Sequence, residues 1–147
     1  MTANDEILAL IDKGVDDILT AFDVDTPPVP VELMLQRPRE GLWQEIDLSE
    51  MSATFLNLRD RYAPRMSAVR LLARSVIRSE WGQARGLAQL GEENPDNVNL
   101  LARAIIIPRQ LLDVMGDDIT LDKTTVSLHF EVPEADAELR LADLGIQ

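Results

Sequence analysis

Residues 65–78 read RMSAVRLLARSVIR. The residues between its arginines are almost all apolar, so this stretch reads as a core-like helix over about 65–79 behind Pro64. Arg70, Arg74 and Arg78 interrupt the pattern at strict four-residue spacing, which lines them up along one helix face. How the rest of the chain accommodates that cationic stripe decides the fold and the function.

Upstream, residues 4–22 read as an amphipathic helix with Ile7, Leu8, Ile11, Val15, Ile18, Leu19 and Phe22 on one side. Asn4 is the expected N-cap, and Asp5 and Glu6 suit the helix dipole. The prolines of VDTPPVP (24–30) stop that helix, and a short one follows over about 31–37. LWQEIDL (42–48) and ATFLNL (53–58) carry β-branched and aromatic residues around the turn SEMS, so a small antiparallel hairpin is expected. Downstream, Gly82 and Gly86 loosen the end of the arginine helix, and GEENPDN (91–97) is an acidic loop. Residues 97–107 predict a helix that stops at Pro108, and RQLLDVMG predicts an amphipathic turn ending at Gly116. Residues 124–132 fit a strand, with Val126, Leu128, Phe130 and Val132 alternating, or a helix with Val126 and Phe130 one turn apart. Pro133 opens a last helix, closed by Gly145.

The 147 residues fit one domain: a body over 1–116 and a C-terminal helical segment, 117–147, packed on it. Hydrophobic residues make up 46% and charged residues 27%, an ordinary globular balance. No apolar run is long enough to cross a bilayer, and MTANDEILAL does not read as a secretory leader. The absence of Cys rules out disulfides and thiolate metal sites and fits a cytoplasmic setting. Net charge is −12, which argues against a general nucleic-acid binder. Yet residues 59–85 hold seven Arg against Asp60 and Glu80, a basic island of +5. Such an island in an acidic protein usually meets the protein's own carboxylates.

Three segments in order resemble one family. RMSAVRLLARSVIR is similar to the R-F-T-L-A-H-E-x-x-H helix of the ImmA/IrrE zinc metallopeptidases. NVNLLARAIIIPRQLL resembles that family's next helix, with Asn99, Ala102, Ile105, Ile106, Ile107 and Pro108 in place. HFEVPEADAELRLADLGI resembles its closing segment, through Phe130, Val132, Ala137, Arg140, Leu141, Leu144 and Gly145. PPVPVELM looks like the turn after the first helix, and Asn57 like a strand-end Asn. The resemblance implies a mostly helical α+β, zincin-like domain with a small antiparallel β-hairpin beside the zinc helix. It also implies partners of the helix-turn-helix repressor class.

The chemistry of that family is missing. Such a peptidase needs two His at i and i+4, a Glu beside the first as general base, and a third ligand from a later helix. Here the His positions hold Arg70 and Arg74, the base position holds Leu71, and the third-ligand position holds Asn97. A further His position holds Arg78. A guanidinium has no acceptor and stays protonated, so it does not ligate a cation. No metal or cofactor is therefore expected.

The stripe is read either as an internal ion-pair network or solvated helix face, or as a cleft for an acidic peptide or a carboxylate-bearing ligand. Glu92, Glu93 and Asp96 are the candidate internal partners. His129, the single histidine, is read as a surface or satisfied residue. Ala137, Leu139, Leu141 and Leu144 are expected to pack the acidic last helix on the body. The resulting expectation is an inactive ImmA/IrrE-like protein that binds a protein partner, a repressor or an active peptidase relative. The alternatives are a structural, assembly or phage-encoded component, and an atypical metallopeptidase.

Overall fold

The computed structural model describes residues 3–46, 62–117 and 119–146. In chain order its helices are α1 (Ala3–Ala21), α2 (Val31–Gln36), α3 (Ala63–Arg78), α4 (Glu80–Ala84), a 3₁₀ turn at Leu87–Leu90, α5 (Pro95–Ile106), α6 (Arg109–Met115), α7 (Lys123–Phe130) and α8 (Glu134–Asp143). Among the described residues there is no strand and no sheet. The α+β reading with its hairpin is therefore corrected: the described residues are all-helical.

The reason lies in Trp43. Its indole N–H donates to the Met34 carbonyl at 2.8 Å, and the ring is 5% exposed. Ile46 N donates to the Leu35 carbonyl at 3.0 Å. The first half of the expected hairpin is thus hooked onto the end of α2, satisfying that helix's last carbonyls. Burial of one aromatic and the partial burial of Leu42 and Ile46 mimic the alternation of a strand. The second half, 53–58, and Asn57 with it, lie outside the described residues.

At the centre lies α3, packed against α5 on one side and α2 on another. Its buried residues are Met66, Ala68, Val69, Leu72, Ala73, Ser75, Val76 and Ile77, more than half of its circumference. On α5, Val98, Leu101, Ala102, Ala104, Ile105 and Ile106 are buried, a face of mostly short or branched side chains that fits close helix packing. α1 contributes Ile11, Val15, Ile18, Leu19 and Phe22 to the same core. It starts at Ala3, so Asn4 falls inside its first turn instead of capping it.

Where α3 meets α4 the chain turns sharply. Ser79 is extended, accepts from Gly82 N at 2.9 Å, and donates its hydroxyl to the Val76 carbonyl at 2.7 Å. A Cβ on Gly82 would stand 1.9 Å from the Val76 oxygen. Gly82 therefore tightens this corner; it does not loosen it.

The ambiguity at 124–132 resolves as helix. Asp122 caps α7 by accepting from Thr125 N at 2.8 Å. Val126 and Phe130 are fully buried one turn apart, while Leu128 is 64% exposed. On α8, Ala137 and Leu141 are buried and Leu144 is partly so, but Leu139 is 49% exposed. Leu139 thus does not share the packing expected of it.

Arginines tie these helices together. Arg65 donates to both Glu32 carboxylate oxygens and to the carbonyls of Val29, Phe130 and Glu131, joining α2, α3 and the end of α7. Arg103 of α5 holds Asp143 of α8 through two contacts of 2.7 and 3.0 Å. Arg109 of α6 meets Asp12 of α1 at 2.8 Å. Arg85 meets Asp17 of α1 at 2.8 Å and lies 3.9 Å over the Trp81 ring. Arg140 is 1% exposed; its Nε donates to the Ile107 carbonyl at 2.9 Å. No helix is long and apolar enough to cross a membrane among the described residues.

Candidate functional site

The four-residue spacing of Arg70, Arg74 and Arg78 sets them on successive turns of α3, roughly 6 Å apart along the axis. They differ in what holds them. Arg70 is 38% exposed; its Nε donates to Asn99 Oδ1 of α5 at 3.2 Å, and its Nη2 lies 3.9 Å from Asp136 of α8. Arg78 is 62% exposed and pairs through Nε with Glu92, itself 41% exposed, at 2.9 Å. Between them, Arg74 is half-buried and makes no hydrogen bond or ion pair among the described residues. Leu71 is partly buried against the core beside this row.

The expected internal partners divide. Glu92 meets Arg78, as sequence reasoning anticipated. Glu93 and Asp96 are exposed and pair with no cation among the described residues. Asn97 does not reach the stripe: its backbone N–H donates to the Asn94 cap, and its side chain donates to the Leu90 carbonyl at 2.9 Å. It fastens the start of α5 to the preceding turn.

Asn99 and Asp136 are the contacts that the sequence reading missed. Asn99 lies two residues beyond Asn97, on the side of α5 that meets α3. Helical phase alone could have suggested it, since α3 and α5 are the principal packing pair. For Asp136, 66 residues from Arg70, no local signal exists.

Surface exposure pairs of this kind are worth little energy singly. Among the described residues the row therefore leaves Arg74 with its full donor fork, and the outer two arginines held mainly by one edge. A cleft of about 410 Å³ opens beside Arg78, lined by Leu42, Trp43, Gln44, Ser75, Ser79 and Glu80 among others. It mixes hydroxyl, amide and charged groups with one aromatic wall. His129 is exposed in the last turn of α7. Among the described residues no three of His, Asp and Glu gather closely enough to hold a metal ion.

No family profile, curated protein or solved structure matches this chain.

Proposed function

We propose that this chain is a catalytically inactive relative of the ImmA/IrrE peptidases that works in the cytoplasm by binding another protein. The partner is a helix-turn-helix repressor or an active peptidase of the same kind, by analogy with the family. The reading rests on the three resembling segments, α3, α5 and α7–α8, and on the residues that replace the catalytic set, Arg70, Leu71, Arg74 and Asn97. Leu71 has no proton to exchange, and arginine offers no lone pair to a metal.

One observation carries the binding role. Arg74 stands half-buried between two tethered arginines without a partner of its own among the described residues. A cation so placed has lost part of its hydration and gains from an incoming carboxylate.

The test is capture of partners by wild type and by the Arg70→Glu/Arg74→Glu variant, with matching circular dichroism as the check on folding. Loss of a captured protein from the folded variant is the expected result. Equal capture by both would move the interaction off α3. A structural reading is favoured by the Arg78–Glu92 pair and the Arg70–Asn99 bond. It predicts instead a fall in melting temperature with no change in partners. Stoichiometric zinc in protein purified without chelators would overturn the inactive-relative reading and restore that of an atypical metallopeptidase.

A further inference from the structure

Resting on that reading, we infer that the α3 face takes an acidic helical segment whose carboxylates are spaced one turn apart, with Arg74 as the central clamp. The argument starts from register. Arg70, Arg74 and Arg78 repeat every four residues, and Glu or Asp at four-residue spacing on a partner helix repeats with the same rise of about 6 Å. A helix laid along α3 therefore keeps each carboxylate opposite one guanidinium.

The tethers support this geometry. Asn99 and Glu92 engage the outer arginines at Nε, which fixes the plane of each guanidinium. Arg70 Nη2 also faces Asp136 at 3.9 Å, and among the described residues the terminal nitrogens of Arg78 stay open to other acceptors. Among the described residues nothing engages the Arg74 fork, which suits it to bidentate contact. Leu71, partly buried beside the row, supplies apolar surface for the aliphatic stems of the partner's side chains.

Charge selects carboxylates over a polyphosphate. The island of +5 over residues 59–85 sits in a chain of net −12, and Asp136 and Glu92 border the row. Isolated carboxylates aimed at single arginines avoid those borders, whereas a continuous string of phosphates would run across them. At physiological salt the long-range repulsion of the remaining surface is screened beyond about 8 Å, so the contact face dominates.

The probe is a fluorescent, alanine-based helical peptide with three Glu at four-residue spacing, and the same peptide with Gln. Anisotropy titration at low salt should give saturable binding of the Glu peptide to wild type. Binding should weaken at least tenfold for the Gln peptide and for folded Arg74→Gln, and less for Arg74→Lys, which keeps the charge but loses the fork. Equal binding by wild type and Arg74→Gln, or no saturable binding by folded wild type, overturns the inference. If the peptide fails while Arg70→Glu/Arg74→Glu still loses its captured partner, α3 remains a docking face and only the acidic-helix chemistry falls.

Discussion

Two buried arginines show how differently one residue type can be used. Arg65 has each of its nitrogens engaged, on Glu32 and three backbone carbonyls. Arg140 is more deeply buried, yet Nη1 and Nη2 have no hydrogen-bond partner among the described residues, and Asp12 lies 3.9 Å away. Desolvation depresses the Arg140 pKa from the ordinary guanidinium value to about 10, against the pull of Asp12 and Asp143. Because its folded value lies below the unfolded one, the folded protein binds fewer protons from about pH 10 up to the ordinary guanidinium value. Stability therefore gains with rising pH across that window, and at pH 7 the charge costs stability. The same substitution should thus act oppositely at the two sites. Arg65→Met should cost about 3 kcal/mol in urea unfolding, since it strands Glu32 and several carbonyls. Arg140→Met should be neutral or stabilising by up to about 3 kcal/mol, because Asp12 keeps Arg109. A large loss at Arg140 would mean that its contact with Ile107 matters more than its desolvation. Neither role was legible in the sequence: an arginine on a helix reads as exposed, and only the tertiary fold brings Val29, Glu131 and Ile107 to these side chains.

Among the elements, the helices were legible because apolar period and Pro or Gly punctuation agree with each other. Ile11, Val15, Ile18 and Phe22 announce α1; the sequence pattern starts α5 at 97, but the Asn94 cap and Pro95 start it two residues earlier, inside the stretch that reads as an acidic loop. The segment 42–46 misled because a single buried Trp with a hydrogen-bonded indole leaves the same trace as half a strand. Of the candidate site, Arg78–Glu92 could be foreseen from the acidic loop, whereas the bond to Asn99 needed the packing of α3 on α5. Caps give direct tests. Asn94→Ala removes the acceptor for Asn97 N and should cost about 1 kcal/mol. Gly82→Ala forces a Cβ into the Val76 carbonyl and should destabilise by about 2 kcal/mol or more, where Gly86 is governed by its φ of 78° instead. At Asp122, the backbone N–H and hydroxyl of Thr125 hold the carboxyl below its usual 3.8. The cap is therefore fully stabilising above that pH and is lost as pH falls through the lowered value. The difference in melting temperature between wild type and Asp122→Asn should shrink as the solution is acidified below pH 4.

For the molecule as a whole, the C-terminal pair α7–α8 is part of the core. Val126, Phe130, Val132 and Ala137 are fully buried, and Arg103, Ile107 and Arg65 all reach into this pair. Truncation after Gly116 should abolish cooperative thermal unfolding and raise binding of a hydrophobic dye. A truncated chain that melts as sharply as the full one would show that the body folds alone. The distribution of aromatics adds a further consequence. Both tryptophans of the chain lie in one corner, Trp43 edge-on to Trp81 at 5.8 Å with Phe22 at 6.0 Å on its other side. Arg85 covers Trp81, and α5 to α8 contain no tryptophan or tyrosine. Intrinsic emission is thus a local voltmeter wired to the α1–α4 end, and far-ultraviolet ellipticity a global one. Overlaying the two melting curves reads out, without any label or mutation, whether the two ends of this protein come apart together.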